Sequence, residues 1–286
     1  MSDHTIGRWL TDRAVLTPGR VAIDFPDRTI TYAELASNAA QRARSFVAAG
    51  LQPGDRVATI TRNCPEHVEV FFACALAGLV LVPLNWRLTP AELAYQLSDA
   101  APALLLEDLS ERPAEPVNVT VTPPEDDAPL LILYTSGTTG RPKGAVLSHA
   151  NCFWTNLSLD RTAEITSSDV VLQVLPQCHV GGWNVQPLLA WCKGATVVLE
   201  QAFSAGRVLD LIEAKRVTTM MGVPTNYLML AQHPRFASAD LSSLRQVIAG
   251  GAPMPLPLLE KWQARGVTIA QGYGSLRSNP KVLSPN

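Results

Sequence analysis

A chain of 286 residues, 47% apolar and 17% charged, is long enough to bury a sizeable core and too apolar to be disordered. Its formal net charge of -2 gives none of the basic surplus used to grip nucleic acid or an anionic membrane, which leaves small molecules as the expected partners. Five cysteines without a C-x-x-C pair and five scattered histidines form neither a disulfide framework nor a metal-ligand pattern; no metal site and a reducing, cytoplasmic setting are expected. The start, Met1-Ser2-Asp3-His4, lacks the basic-then-apolar layout of a signal peptide.

In chain order, Thr31-x-x-Glu34 is a capping box that opens a helix ending near Gly50. Val57–Thr61 reads as a strand. No charge occurs between Glu69 and Arg87, a stretch close to membrane-spanning length. Gly78 and Pro83 interrupt it, so a buried helix over Val70–Ala77, a turn and a strand over Leu79–Val82 are expected in place of an integral membrane segment. Thr89-Pro90-x-Glu92 is a second capping box, with proline at the first helical position. After the strand candidate Ala103–Leu106, residues Pro113 to Pro129 hold five prolines and the acidic run Glu125-Asp126-Asp127, a linker composition.

Further strands are predicted at Leu130–Tyr134, Val170–Leu175, Ala195–Leu199, Val217–Met221, Arg245–Ala249 and Thr268–Gln271. Helices are predicted at Ser204–Arg216 and Pro255–Arg265. Strands that are apolar throughout suit a sheet covered on both faces, and their alternation with helices indicates an α/β fold with mainly parallel sheets.

The strongest local signal is Tyr134-Thr-Ser-Gly-Thr-Thr-Gly-Arg-Pro-Lys-Gly144, set between an apolar strand and a second short apolar run, Ala145-Val-Leu147. Its glycines, Gly137, Gly140 and Gly144, let the backbone turn and approach a ligand. Thr135, Ser136, Thr138 and Thr139 supply hydroxyls, and Lys143 a mobile positive charge. These groups suit a polyphosphate, whose oxygens accept from N–H and O–H groups while the ammonium offsets their charge. The spacing is not that of the P-loop. A polar surface turn shares the composition, but not this ordered string between two strands.

Tyr134–Gly144 resembles the phosphate-binding signature of the adenylate-forming superfamily, which includes acyl-CoA synthetases, luciferases and peptide-synthetase adenylation domains. Three more stretches match in order. Leu175-Pro-Gln-Cys-His-Val-Gly-Gly182 resembles the segment where acyl-CoA synthetases place a histidine beside the acyl and pantetheine channel, which implies His179 in that role and Trp183 and Asn184 near the acyl pocket. By itself, a histidine before two glycines is equally consistent with a packed core histidine. Gly250-Gly251-Ala252-Pro253 resembles the loop that backs adenine, and Gln271-Gly272-Tyr273-Gly274 the strand end whose tyrosine stacks on it. Taken alone, these two are also a tight turn and a core aromatic.

The resemblance spans about Thr5–Gly274 and implies two packed, mostly parallel sheet subdomains of the large N-terminal domain. One would comprise roughly residues 57–160, the other 5–50 with 169–274. It implies ATP and Mg²⁺, with Thr135 to Gly140, Lys143, Gly250–Pro253 and Gly272–Gly274 holding the nucleotide. Lys143 and His179 would serve catalysis, and a carboxylic acid, expected to be a fatty acid, and CoA would be the other partners. In the implied reaction a carboxylate attacks the α-phosphate of ATP, and a thiol then takes the acyl group. The acid is already ionised at neutral pH, so positioning and charge neutralisation must do the work.

In the family the tyrosine is followed by a threonine and a magnesium-binding glutamate, where this sequence has Leu276 and Arg277, and no acidic residue follows Glu260. Residues 275–286 resemble nothing in the family, and neither the barrel subdomain nor the small C-terminal domain is matched. The expectation is therefore of a truncated chain, by frameshift, early stop or splicing, that is inactive alone. Alternatives are a non-catalytic nucleotide-binding remnant or pseudogene product, and adenylation for a carrier protein.

Overall fold

The structure, a computed structural model, describes residues 4–110, 118–135, 141–275 and 278–285. The chain divides into two compact units. The first comprises Met1–Val21, Ile30–Trp154 and Gln177–Val180; the second comprises Ala22–Thr29, Thr155–Pro176 and Gly181–Asn286.

Elements begin with α1 (Ile6–Leu16), β1 (Val21–Phe25), β2 (Arg28–Thr31), α2 (Tyr32–Ala48), β3 (Arg56–Ile60) and α3 (Pro65–Ala77). There follow β4 (Val80–Leu84), α4 (Pro90–Ala100), β5 (Leu104–Leu106), β6 (Pro129–Thr135), β7 (Lys143–Ser148) and α5 (His149–Ala163). The later elements are β8 (Val170–Gln173), α6 (Gln186–Lys193), β9 (Thr196–Leu199), α7 (Ala205–Lys215), β10 (Thr219–Gly222) and α8 (Pro224–Gln232). Last come β11 (Gln246–Ala249), α9 (Leu256–Gln263), β12 (Ile269–Ser275) and β13 (Ser278–Pro285).

In the first unit the strand order is β5-β3-β4-β6-β7, parallel except for the antiparallel β6–β7 pair. The uncharged stretch after Glu69 is a buried helix, a turn and a strand, as its interruptions predict. Phe71 and Phe72 of α3 are fully buried, each burial stabilising by about 1.5–3 kcal/mol. Gly78 ends α3 in the left-handed region, with φ 67°, where a side chain would be strained. Among the described residues no helix is long and apolar enough to cross a membrane.

Glu69, with no solvent exposure, is held by Arg42 Nε at 3.0 Å and by Asn38 Nδ2 at 2.8 Å, while Arg42 Nη2 donates to the Leu109 carbonyl at 2.6 Å. A buried charge needs such partners to offset its desolvation. Both predicted capping boxes are present, with Thr31 accepting from the Glu34 N–H and Thr89 from the Glu92 N–H. The grouping at the start of the chain differs from the sequence reading. Helices α1 and α2 belong to the first unit rather than with residues 169–274, because the apolar faces that hold Leu10, Leu35 and Phe46 pack among α1, α2 and α3.

The eight-stranded sheet that carries the second unit runs β13-β12-β11-β10-β8-β9-β1-β2. From β12 through β1 every neighbouring pair is parallel. Tyr227, Trp262 and Phe236 meet edge to face in its core. The Tyr227 hydroxyl donates to the Ile248 carbonyl at 2.6 Å and the Trp262 indole to the Tyr227 carbonyl at 3.2 Å, which fixes α8 and α9 against the end of β11. In the 275–286 tail, β13 pairs antiparallel with β12.

Candidate functional site

The phosphate-loop motif is carried by β6 and β7 of the first unit. Their register sets Thr135 opposite Lys143, so a hydroxyl and an exposed ammonium share the loop's mouth. Ser136, Gly137, Thr138, Thr139 and Gly140 lie outside the described residues. A Cβ on Gly144 would come within 2.9 Å of Ile132 Cγ2, so the close approach of the two stems requires glycine there.

Both stems are tied to α4. The Tyr134 hydroxyl donates to Asp99 Oδ2 at 2.7 Å and to the Gln96 carbonyl at 3.2 Å. From the same helix the Tyr95 hydroxyl donates to the Pro142 carbonyl at 3.2 Å, and the Arg141 guanidinium lies 5.7 Å from the Tyr95 ring centroid. Burial, then the hydrogen bond and charge of Asp99, push the Tyr134 phenol above its ordinary pKa and keep it a donor. Sequence reasoning missed Tyr95, Gln96 and Asp99. The capping box announced their helix, but nothing local announced its target.

The second unit carries the other two stretches on adjacent parallel strands. Ala249 of β11 stands beside Gln271 of β12, so the Gly250–Pro253 turn leaves β11 next to Gly272–Gly274, which lie within β12 and have β13 on their other side. Gly250 is buried, its N–H donating to the Gly222 carbonyl at 3.0 Å, and a Cβ there would meet Met221 Cε at 2.7 Å. Gly251 has φ +83°, a left-handed turn that favours glycine. Ala252 and Pro253 are exposed, and Tyr273 is 76% exposed. An aromatic ring so exposed offers a face on which a planar heterocycle can stack.

His179 follows β8 in the Gln177–Val180 segment of the first unit, where it is exposed next to the buried Gln177 and Cys178. Desolvation, then the charge of Arg87, lower its pKa and favour the neutral imidazole. Arg87 and Arg62 each lie 4.5 Å from the Trp86 ring centroid, and all three side chains are exposed. Two guanidiniums on one indole offer donors for an anion. Trp183 and Asn184 lie in the second unit and are buried, Asn184 accepting from Asn156 Nδ2 at 2.6 Å; their side chains are packed rather than open to solvent. Among the described residues no group of three or more His, Cys, Asp or Glu side chains could hold a metal ion.

The sequence matches the AMP-binding enzyme family over residues 10–122 and 107–275. The chain belongs to that family. It is 38% identical over 302 residues to a feruloyl-CoA synthase of Amycolatopsis sp, covering 99% of this chain and 62% of the relative. It is 36% identical over 311 residues to an indoleacetate–CoA ligase of Aromatoleum aromaticum, covering 96% and 60%. The ATP-bound crystal structure of MatB from Rhodopseudomonas palustris superposes with a TM-score of 0.91 at 30% identity, covering 100% of this chain and 62% of that one. The family member thus spans 60–62% of the length of these relatives.

Proposed function

We propose that this chain is the nucleotide-binding part of an AMP-forming acid–CoA ligase. The observation that carries the reading is the open ring of Tyr273 on β12, the strand next to the one that leads into Gly250–Pro253, in a chain whose Tyr134–Gly144 motif carries groups suited to phosphates. In this reading the second unit's Gly250–Pro253 and Gly272–Gly274 backbone suits a base, and the first unit's Thr135 and Lys143 suit phosphate oxygens. Lys143 would offset charge that develops on the transferred phosphoryl group.

The acid expected from the sequence is a fatty acid. The names of the feruloyl and indoleacetate relatives add aromatic acids to the candidates. The exposed Arg62–Trp86–Arg87 stack favours a phosphate-bearing thiol such as CoA as acceptor. A polypeptide of these 286 residues would bind ATP yet release no acyl-CoA, since the resemblance places Arg277 where a magnesium-binding glutamate is expected. The test is titration calorimetry with ATP and AMP, run beside a thioester assay with CoA and ferulate, indoleacetate or a long-chain fatty acid. Binding without product is expected; absence of ATP binding would overturn the reading, and steady thioester release would overturn its inactive part.

A further inference from the structure

Gln271 is the residue of β12 that stands beside Ala249, and its amide turns towards the loop that leaves β11. Nε2 donates to the Ala249 carbonyl at 3.2 Å and to the Ala252 carbonyl at 3.2 Å, while Oε1 accepts from the Met254 N–H at 2.9 Å. One side chain therefore ties the entry, the middle and the exit of the Gly250–Pro253 turn. A glutamate lacks the donors and an asparagine is one methylene shorter, so the combination is specific to glutamine. Side chains two apart on a strand share a face, which puts Gln271 on the same side as the open Tyr273 ring.

We propose that Gln271 is a positioning residue of the nucleotide site, one that sets the gap between the Gly250–Pro253 backbone and the Tyr273 ring to the thickness of a flat heterocyclic base. The assignment rests on the nucleotide-binding reading above. Gln271 acts through the turn: among the described residues its hydrogen bonds are all to backbone, and it carries no charge for the phosphates. It should thus affect the base half of the ligand alone.

The experiment titrates the 286-residue chain and its Gln271→Met and Gln271→Glu variants with ATP, adenosine and inorganic tripolyphosphate, with circular dichroism to verify folding. Gln271→Met removes both donors and the acceptor at similar size. It should weaken ATP and adenosine by roughly tenfold and leave tripolyphosphate unchanged. Gln271→Glu keeps the acceptor for Met254 but turns a carboxylate oxygen towards the Ala249 and Ala252 carbonyls, so it should weaken adenosine at least as much as Gln271→Met, and it carries the test if Gln271→Met does not fold. Unchanged ATP and adenosine affinity in a folded variant would overturn the assignment alone, as would an equal loss for tripolyphosphate. An unaltered chain that binds no ATP would overturn the nucleotide-site reading and this assignment with it.

Discussion

The two loops proposed to bind nucleotide are stabilised in opposite ways. The 134–144 loop has its chemistry in side chains, hydroxyls and an ammonium, and its described stems are held by a helix elsewhere in the unit through Tyr95, Gln96 and Asp99. The Gly250–Pro253 turn has its chemistry in backbone and is held by the adjacent strand through Gln271. A phosphate is recognised by many polar donors, so that loop advertises itself in composition. A base is recognised by a flat slot, which depends on strand register and a few torsions and leaves little trace in residue type.

Acid should separate the two regions most. The first unit buries His149, whose Nδ1 accepts from the Ile6 N–H at 3.0 Å, and His67, whose Nε2 lies 2.9 Å from Thr59 Oγ1. Burial lowers their pKa values to about 4 and about 3. Both folded values lie below the ordinary value, so the unfolded chain binds more protons in between. Stability is then complete above about pH 6.5 and is lost as pH falls towards those values, at ~1.4 kcal/mol per pH unit for each histidine. Hydrogen exchange at stepped pH should show α3 and β3 losing protection on acidification. Protection that stays flat from neutral pH down to about pH 5 would contradict this linkage.

Lys143→Ala cuts the phosphate end alone. It should weaken ATP roughly tenfold and leave adenosine unchanged, since a single charge-assisted contact is removed from an exposed position. Calorimetry that shows equal losses for the two ligands would place the lysine elsewhere. The counterpart cut is Gly251→Ala, which forces a Cβ into the left-handed region at a cost of about 1–2 kcal/mol. Adenosine affinity should fall and tripolyphosphate affinity should not; the reverse pattern would detach the turn from the base.

Much of the fold was legible because its signals are local. The capping boxes at Thr31 and Thr89 opened helices where expected, and strand candidates such as Val57–Thr61 and Arg245–Ala249 became parallel strands to within a residue or so. The short α6 and the polar α5 were not read, because eight residues carry little periodicity and the α5 segment His149–Ala163 has no clear apolar stripe. What the string could not show was non-local. The placement of α1 and α2 depends on α3, and the roles of Tyr95, Asp99 and Gln271 depend on partners tens of residues away or in another strand.

The smallest expected effect tests whether the base-binding region also supplies charge. Arg277 follows Tyr273 closely in sequence, at the position where the resemblance places an acidic magnesium ligand, and Leu276 replaces a hydroxyl. A guanidinium offers no lone pair to Mg²⁺ and repels it, whereas Mg²⁺ binding calls for oxygen ligands. If a guanidinium stands where the metal ligand is expected, ATP should bind this chain almost equally with Mg²⁺ and with a chelator. The double substitution Leu276→Thr with Arg277→Glu should introduce metal dependence, because it adds a carboxylate and removes the opposing charge in the same change. Titrating ATP against both versions, with and without Mg²⁺, separates the two regions' contributions: adenosine affinity should be the same in all four conditions. Strong Mg²⁺ dependence in the unaltered chain would sink the idea, and would require a carboxylate from earlier in the sequence to reach the phosphates.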